Sequence, residues 1–79
     1  MKNNPPLSFK ETVESYHGRL TGSDRAILSI LMNEPRAAVF LSVAQMADKA
    51  EVNKSTVVRF AHKLGFEGYP ELRAQIRSE

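Results

Sequence analysis

The chain predicts an all-α domain of about five helices, a homeodomain-like three-helix core with flanking helices and no wing. Three observations predict it. The stretch from Leu41 to Phe66, LSVAQMADKAEVNKSTVVRFAHKLGF, reads as two short helices joined by a tight turn, the second with a polar outer face. Apolar residues before and after it recur at the three-and-four spacing of a helix. No hairpin signal separates two alternating runs, and the segment after Gly65 continues in a helical pattern.

Each element has a local signature. Residues 1–7 form a polar, proline-containing lead-in, expected to be flexible. Phe9, Val13 and Tyr16 then recur at helical spacing from Ser8 to about His17, and Leu20 extends the stripe. Ser8 and Glu11 have the spacing of a capping box, in which each side chain satisfies the other residue's backbone N–H. Gly18 ends or interrupts this first helix. The second starts near Thr21, an N-cap with Asp24 as a favourable acid in the first turn. It carries Ile27, Ile30 and Leu31 inward, and Pro35 stops it because the residue before a proline avoids the helical region.

Arg36 to Leu41 is apolar and fits a loop, a helical turn or an extended piece equally. Ser42 opens the third predicted helix with a second capping box to Gln45, and Leu41 and Met46 can staple across it. That helix ends near Ala50. Asn53 caps the fourth, which runs to about Leu64. Its Val57, Phe60, Ala61 and Leu64 fall at i, i+3, i+4 and i+7 and form one core-facing stripe. Gly65 supplies a left-handed C-terminal residue, and Phe66 can fold back on the last turn. Pro70 suits the first turn of a fifth helix, anchored by Leu72 and Ile76 with Tyr69 beside them.

Size and composition narrow the function. Seventy-nine residues make one small domain with room for a single core. Cysteine is absent, which removes disulfides, thiolate metal sites and cysteine nucleophiles and fits a reducing cytoplasm. His17 and His62 lie far apart and form no ligand cluster, so neither a metal nor a cofactor is expected. The longest uninterrupted apolar run, Ala37 to Leu41, is far short of a bilayer span, and MKNNPP is no secretory signal. A cytoplasmic chain without membrane contact is expected. The net charge is only +2, but the distribution is uneven. From Lys54 to Phe66 there are three cations, Lys54, Arg59 and Lys63, and no acid. Such a local balance suits a polyanionic partner.

A helix-turn-helix demands residue types at fixed spacing. Ala47 is the small residue wanted where the two helices cross. Val43, Met46, Ala50, Val52, Val57 and Phe60 are the apolar positions facing the core on both sides of the turn. Glu51 departs from the pattern, because a left-handed backbone is often needed there and a non-glycine residue in that conformation costs on the order of 1 kcal/mol.

Those residues carry a resemblance. VNKSTVVRF (Val52 to Phe60), KLGF (Lys63 to Phe66), Gly68-Tyr69 and Glu71-Leu72 resemble the N-terminal domain of RpiR-type bacterial transcriptional regulators, as do LTGSDRAILSIL and LSVAQMA. The likeness covers nearly everything from Phe9 onward. It implies double-stranded DNA as partner, a dimeric or tetrameric full-length protein, and a phosphosugar effector bound by a separate SIS domain. It also implies control of sugar or amino-sugar metabolism. The chain stops within a helical pattern at Arg77-Ser78-Glu79, so residues 8–79 are expected to be an excised DNA-binding domain that does not sense the effector alone.

With its core stripe buried, the fourth predicted helix exposes Lys54, Ser55, Thr56, Arg59, His62 and Lys63. Arg59 suits either bidentate bonding to a guanine or a clamp on a phosphate, against a solvated or salt-bridged arginine. Ser55 and Thr56 suit phosphate or base-edge contact as well as ordinary helix-start chemistry. Lys54 and Lys63 fit phosphates, or simply solvent. Asn53, Ser42 and Gln45 are caps first and DNA contacts second. Tyr69 belongs in the core, and His62 on the surface.

Catalysis has no assembled site here. Ser55 and His62 share a face but lie about 10 Å apart along the axis, too far for a nucleophile and its base. No phosphate-binding glycine loop is present. The rival is a helical protein-interaction or dimerisation module without DNA contact, in which Phe9, Val13 and Tyr16 would be buried against a partner.

Overall fold

The computed structural model describes residues 8–16 and 18–78. The predicted lead-in, residues 1–7, and His17 lie outside the described residues. Among the described residues six helices follow one another: α1 (Phe9–Ser15), α2 (Gly22–Asn33), α3 (Pro35–Ala38), α4 (Val43–Ala50), α5 (Lys54–Lys63) and α6 (Tyr69–Arg77). No strand occurs among the described residues. The all-α expectation holds, with one short helix more than the five predicted. The addition is α3, where the ambiguous apolar segment becomes a single helical turn with Pro35 at its start.

The helix starts follow local hydrogen bonding. Ser8 with Glu11, Thr21 with Asp24 and Ser42 with Gln45 each form a complete capping box. Thus Asp24 does more than favour the helix dipole, since its Oδ2 accepts the Thr21 N–H at 2.9 Å. α1 is shorter than predicted. It ends at Ser15, and Tyr16 is already extended.

α2, α4 and α5 pack on one another as a three-helix core, and α6 covers it by packing on α3, α5 and α1. Ile27, Leu31, Met46, Val57, Phe60, Ala61 and Leu72 are fully or almost fully buried where these helices meet. Each large apolar side chain removed from water contributes about 1.5–3 kcal/mol. The first helix also faces inward, with Phe9 buried and Val13 and Tyr16 packed against the core. The stripe that the rival reading would give to a partner is therefore used inside the domain.

Candidate nucleic-acid interface

α4 and α5 end in the same type of left-handed closure. At the end of α4 the chain turns left-handed at Glu51, φ 60° and ψ 45°. The Val52 N–H returns to the Ala47 carbonyl at 2.9 Å and the Glu51 N–H to Asp48 at 3.2 Å. This is a Schellman closure with glutamate where glycine is commonest. At the end of α5, Gly65 (φ 94°) and Phe66 close the helix in the same way, through Gly65 N–H to His62 O and Phe66 N–H to Ala61 O, both 3.0 Å. Ala47 lies buried where α4 packs on α5, and Val52 packs against the core.

The buried stripe Val57, Phe60, Ala61 and Leu64 fixes the rotation of α5 about its axis. Lys54, Ser55 and Arg59 are consequently exposed, and Thr56 is half-buried beside them. Arg59 forms no ion pair with any described residue, and its Nη2 reaches the Thr56 hydroxyl at 3.4 Å. Its remaining donors stay available. Asn53 occupies the N-cap position of α5 but forms no side-chain cap bond there. The expected capping role is thus positional only, and its amide is exposed at the start of the helix.

Ser42 and Gln45 are occupied with each other but not exhausted. The Ser42 hydroxyl accepts from the Gln45 N–H at 3.1 Å, and the Gln45 Oε1 accepts from the Ser42 N–H at 2.8 Å. The box uses acceptor oxygens, which leaves the serine O–H and the glutamine NH₂ as donors. Both side chains are exposed at the start of α4.

Lys63 requires a correction. The sequence reading placed it with Lys54 on an acid-free cationic face. In the fold its Nζ is ion-paired with Asp24 Oδ2, from the first turn of α2. Asp24 is 2% exposed and the lysine side chain 30%. Burial alone would raise the Asp24 pKa, but the Lys63 ammonium and the Thr21 donors outweigh it and hold the carboxyl below its ordinary value. Lys63 is thereby directed toward α2 rather than left as a free cation. His62 is exposed as expected, with its Nε2 3.0 Å from the Glu67 carbonyl.

One positioning residue was not found from the sequence. Arg73 of α6 donates from Nη1 to the Leu41 carbonyl at 2.9 Å, at the approach to α4. Its guanidinium also lies 5.5 Å from the centre of the Tyr69 ring. Tyr69 is buried, as expected, and its hydroxyl has no hydrogen-bond partner among the described residues. A second surface stands apart from these residues. Phe40 is 80% exposed beside an open cleft of about 540 Å³ lined by Pro35, Arg36, Val39, Ile76 and Arg77.

A tight left-handed turn between two short helices, with a buried stripe and a cationic outer face on the second, defines a helix-turn-helix domain of the DNA-binding class. The chain belongs to the rpiR family of helix-turn-helix domains, whose family model matches residues 8–79. It is 29% identical over 73 residues to the HTH-type transcriptional regulator GlvR of Bacillus subtilis, covering 92% of this chain and 29% of that protein. It is 42% identical over 60 residues to the uncharacterized HTH-type transcriptional regulator YfhH of Escherichia coli K12, covering 76% and 21%. It is 33% identical over 66 residues to the HTH-type transcriptional regulator HexR of Pseudomonas aeruginosa, covering 84% and 23%. The chain therefore spans less than a third of the length of these relatives. No solved structure matches it. No helix among the described residues is long and apolar enough to cross a membrane.

Proposed function

We propose that this domain binds double-stranded DNA in a sequence-specific manner, as the DNA-reading part of a transcriptional regulator. The observation that carries the reading is the outer face of α5. Lys54, Ser55 and Arg59 are exposed together on a helix whose opposite face is locked into the core. In this reading the N-terminal half of α5 enters the major groove. Arg59 donates to a guanine edge or an adjacent phosphate, with Thr56 steadying its guanidinium. Lys54 binds a phosphate. Ser55, Asn53, and the free donors of Ser42 and Gln45 complete the backbone contacts from the two helix starts.

Phosphate contacts supply most of the affinity and α5 selects the sequence. The full-length regulator acts as a homodimer or higher homo-oligomer on a roughly palindromic operator, with two α5 helices about 34 Å apart. A phosphosugar effector acts through an SIS domain outside this chain, and the regulated genes serve sugar or amino-sugar metabolism. The domain itself has no catalytic role and works in the cytoplasm.

The apolar cleft favours a second reading, a protein-interaction module. An exposed phenylalanine beside an apolar groove is an ordinary feature of protein interfaces. Amide chemical-shift mapping with a generic 20-base-pair duplex separates the two. Perturbations centred on Asn53 to Arg59 and Ser42 to Gln45 support DNA reading through α5. A duplex that perturbs neither segment overturns it and leaves the interaction module.

A further inference from the structure

We propose that Asp24 is an internal counter-ion that withdraws Lys63 from the cationic face of α5, and so limits how much of the domain's affinity is independent of sequence. The inference rests on the DNA-binding reading above.

The pair is built rather than incidental. Lys63 and Asp24 lie thirty-nine residues apart and meet only because α5 packs on α2. The carboxylate cannot follow the lysine outward, because its Oδ2 is also held by the Thr21 N–H at 2.9 Å within the α2 capping box. It is nearly inaccessible, at 2% exposure, while the lysine retains 30%. The lysine therefore bends back toward α2. A contrasting pair, Lys49 with Glu34, has a separation of 3.6 Å with both side chains about half exposed. Such a pair is screened by salt and exchanges freely with solvent.

The consequence concerns counter-ions. Each protein cation that neutralises a phosphate releases condensed counter-ions from the duplex, and contributes about 0.9 to the slope of log affinity against log salt. A lysine already neutralised by a carboxylate contributes little of this. Sequence alone shows three cations and no acid between Lys54 and Phe66. The fold brings in an acid from α2, and the effective charge on α5 falls from three to two. Releasing Lys63 would return a cation on a flexible four-carbon stem to the same helix. General attraction for any duplex would rise, and sequence discrimination would fall.

The test is fluorescence anisotropy with a generic labelled duplex between roughly 50 and 200 mM salt. It compares the parent chain with Asp24→Asn, Lys63→Met and the double variant, at a temperature where circular dichroism shows all four folded. The double variant, which removes both charges together, is expected to bind within twofold of the parent with an unchanged salt slope, whereas Lys63→Met alone leaves the Asp24 carboxylate uncompensated and serves only as the stability control. Asp24→Asn is expected to bind more tightly at 50 mM, with a steeper slope, although it melts earlier. Its advantage should shrink about three- to fourfold by 200 mM and vanish in the double variant. A purely structural role would lower the melting temperature without tightening DNA binding. The proposal is overturned if the double variant loses about 0.9 of slope, or if Asp24→Asn binds no more tightly than the parent. A parent that fails to bind at 50 mM would overturn the DNA-binding reading itself, and this proposal with it.

Discussion

Lys63, the last residue of α5, is ion-paired with Asp24, the third residue of α2, and that carboxylate is also the N-terminal capping acid of its own helix. One buried oxygen thus closes the start of one helix and ties down the end of another. α5 is held at its N-terminal end by the turn from α4 and at its C-terminal end by this pair.

Removing the lysine alone leaves a buried carboxylate without its charged partner. Lys63→Met is expected to cost about 2–4 kcal/mol, somewhat under the range for fully buried pairs because the lysine is partly solvated. Asp24→Asn should cost less, since the freed lysine can extend into water. Urea melts of both single variants and the double should give a coupling energy well above the scatter of independent sites, about 0.5 kcal/mol.

The same pair gives a pH dependence with a definite sign. The Asp24 carboxyl has a folded pKa below its unfolded value, so its contribution to stability is fully present above about pH 4. That contribution falls away as the pH drops through the lower, folded value. Thermal melts at pH 7 and pH 3 should show a larger loss for the parent chain than for Asp24→Asn.

Much of this architecture was legible because its causes are local. Ser8 with Glu11 and Ser42 with Gln45 announce their helices within one turn, and the stripe from Val57 to Leu64 fixes the inward face of α5. Gly65 and Phe66 announce how α5 ends. What was not legible depends on contacts between distant residues. Nothing near Lys63 in the sequence points to Asp24, thirty-nine residues earlier, as its partner, and nothing near Arg73 indicates the Leu41 carbonyl. The apolar run before Ser42 could not be assigned, because its residues divide between two environments. Ala38 is buried while Phe40, two residues on, projects into solvent.

Glu51 holds a left-handed backbone that favours glycine. Glu51→Gly removes the Cβ clash but adds freedom to the unfolded chain, so the net gain should be under about 1 kcal/mol. Glu51→Val, β-branched at the same φ, should be destabilising. Melting temperatures of the two variants should lie on opposite sides of the parent's.

Tyr69 presents the reverse case, a ring that packs well and a hydroxyl without a partner. Tyr69→Phe relieves the buried oxygen, and should leave the melting temperature unchanged or raise it. Tyr69→Ala should cost about 3–5 kcal/mol through the cavity it opens. If Tyr69→Phe instead lowers stability by more than about 1 kcal/mol, the hydroxyl has a partner after all.

Arg59 is exposed and forms no ion pair among the described residues, so Arg59→Ala should change stability by less than about 0.5 kcal/mol. A substantial loss of duplex affinity in that variant would then reflect the DNA face rather than the fold.

Whether α5 is the surface that meets DNA is tested by comparing two double variants for duplex affinity at about 50 mM salt, where phosphate contacts are strongest. Lys54→Ala with Arg59→Ala removes two cations from α5, and Arg36→Ala with Arg77→Ala removes two from the rim of the apolar cleft. Both lose the same formal charge. A loss of about tenfold or more is expected for the α5 variant and a small change for the cleft variant. Equal losses, or a greater loss from the cleft, would contradict the assignment of α5 as the surface that meets DNA.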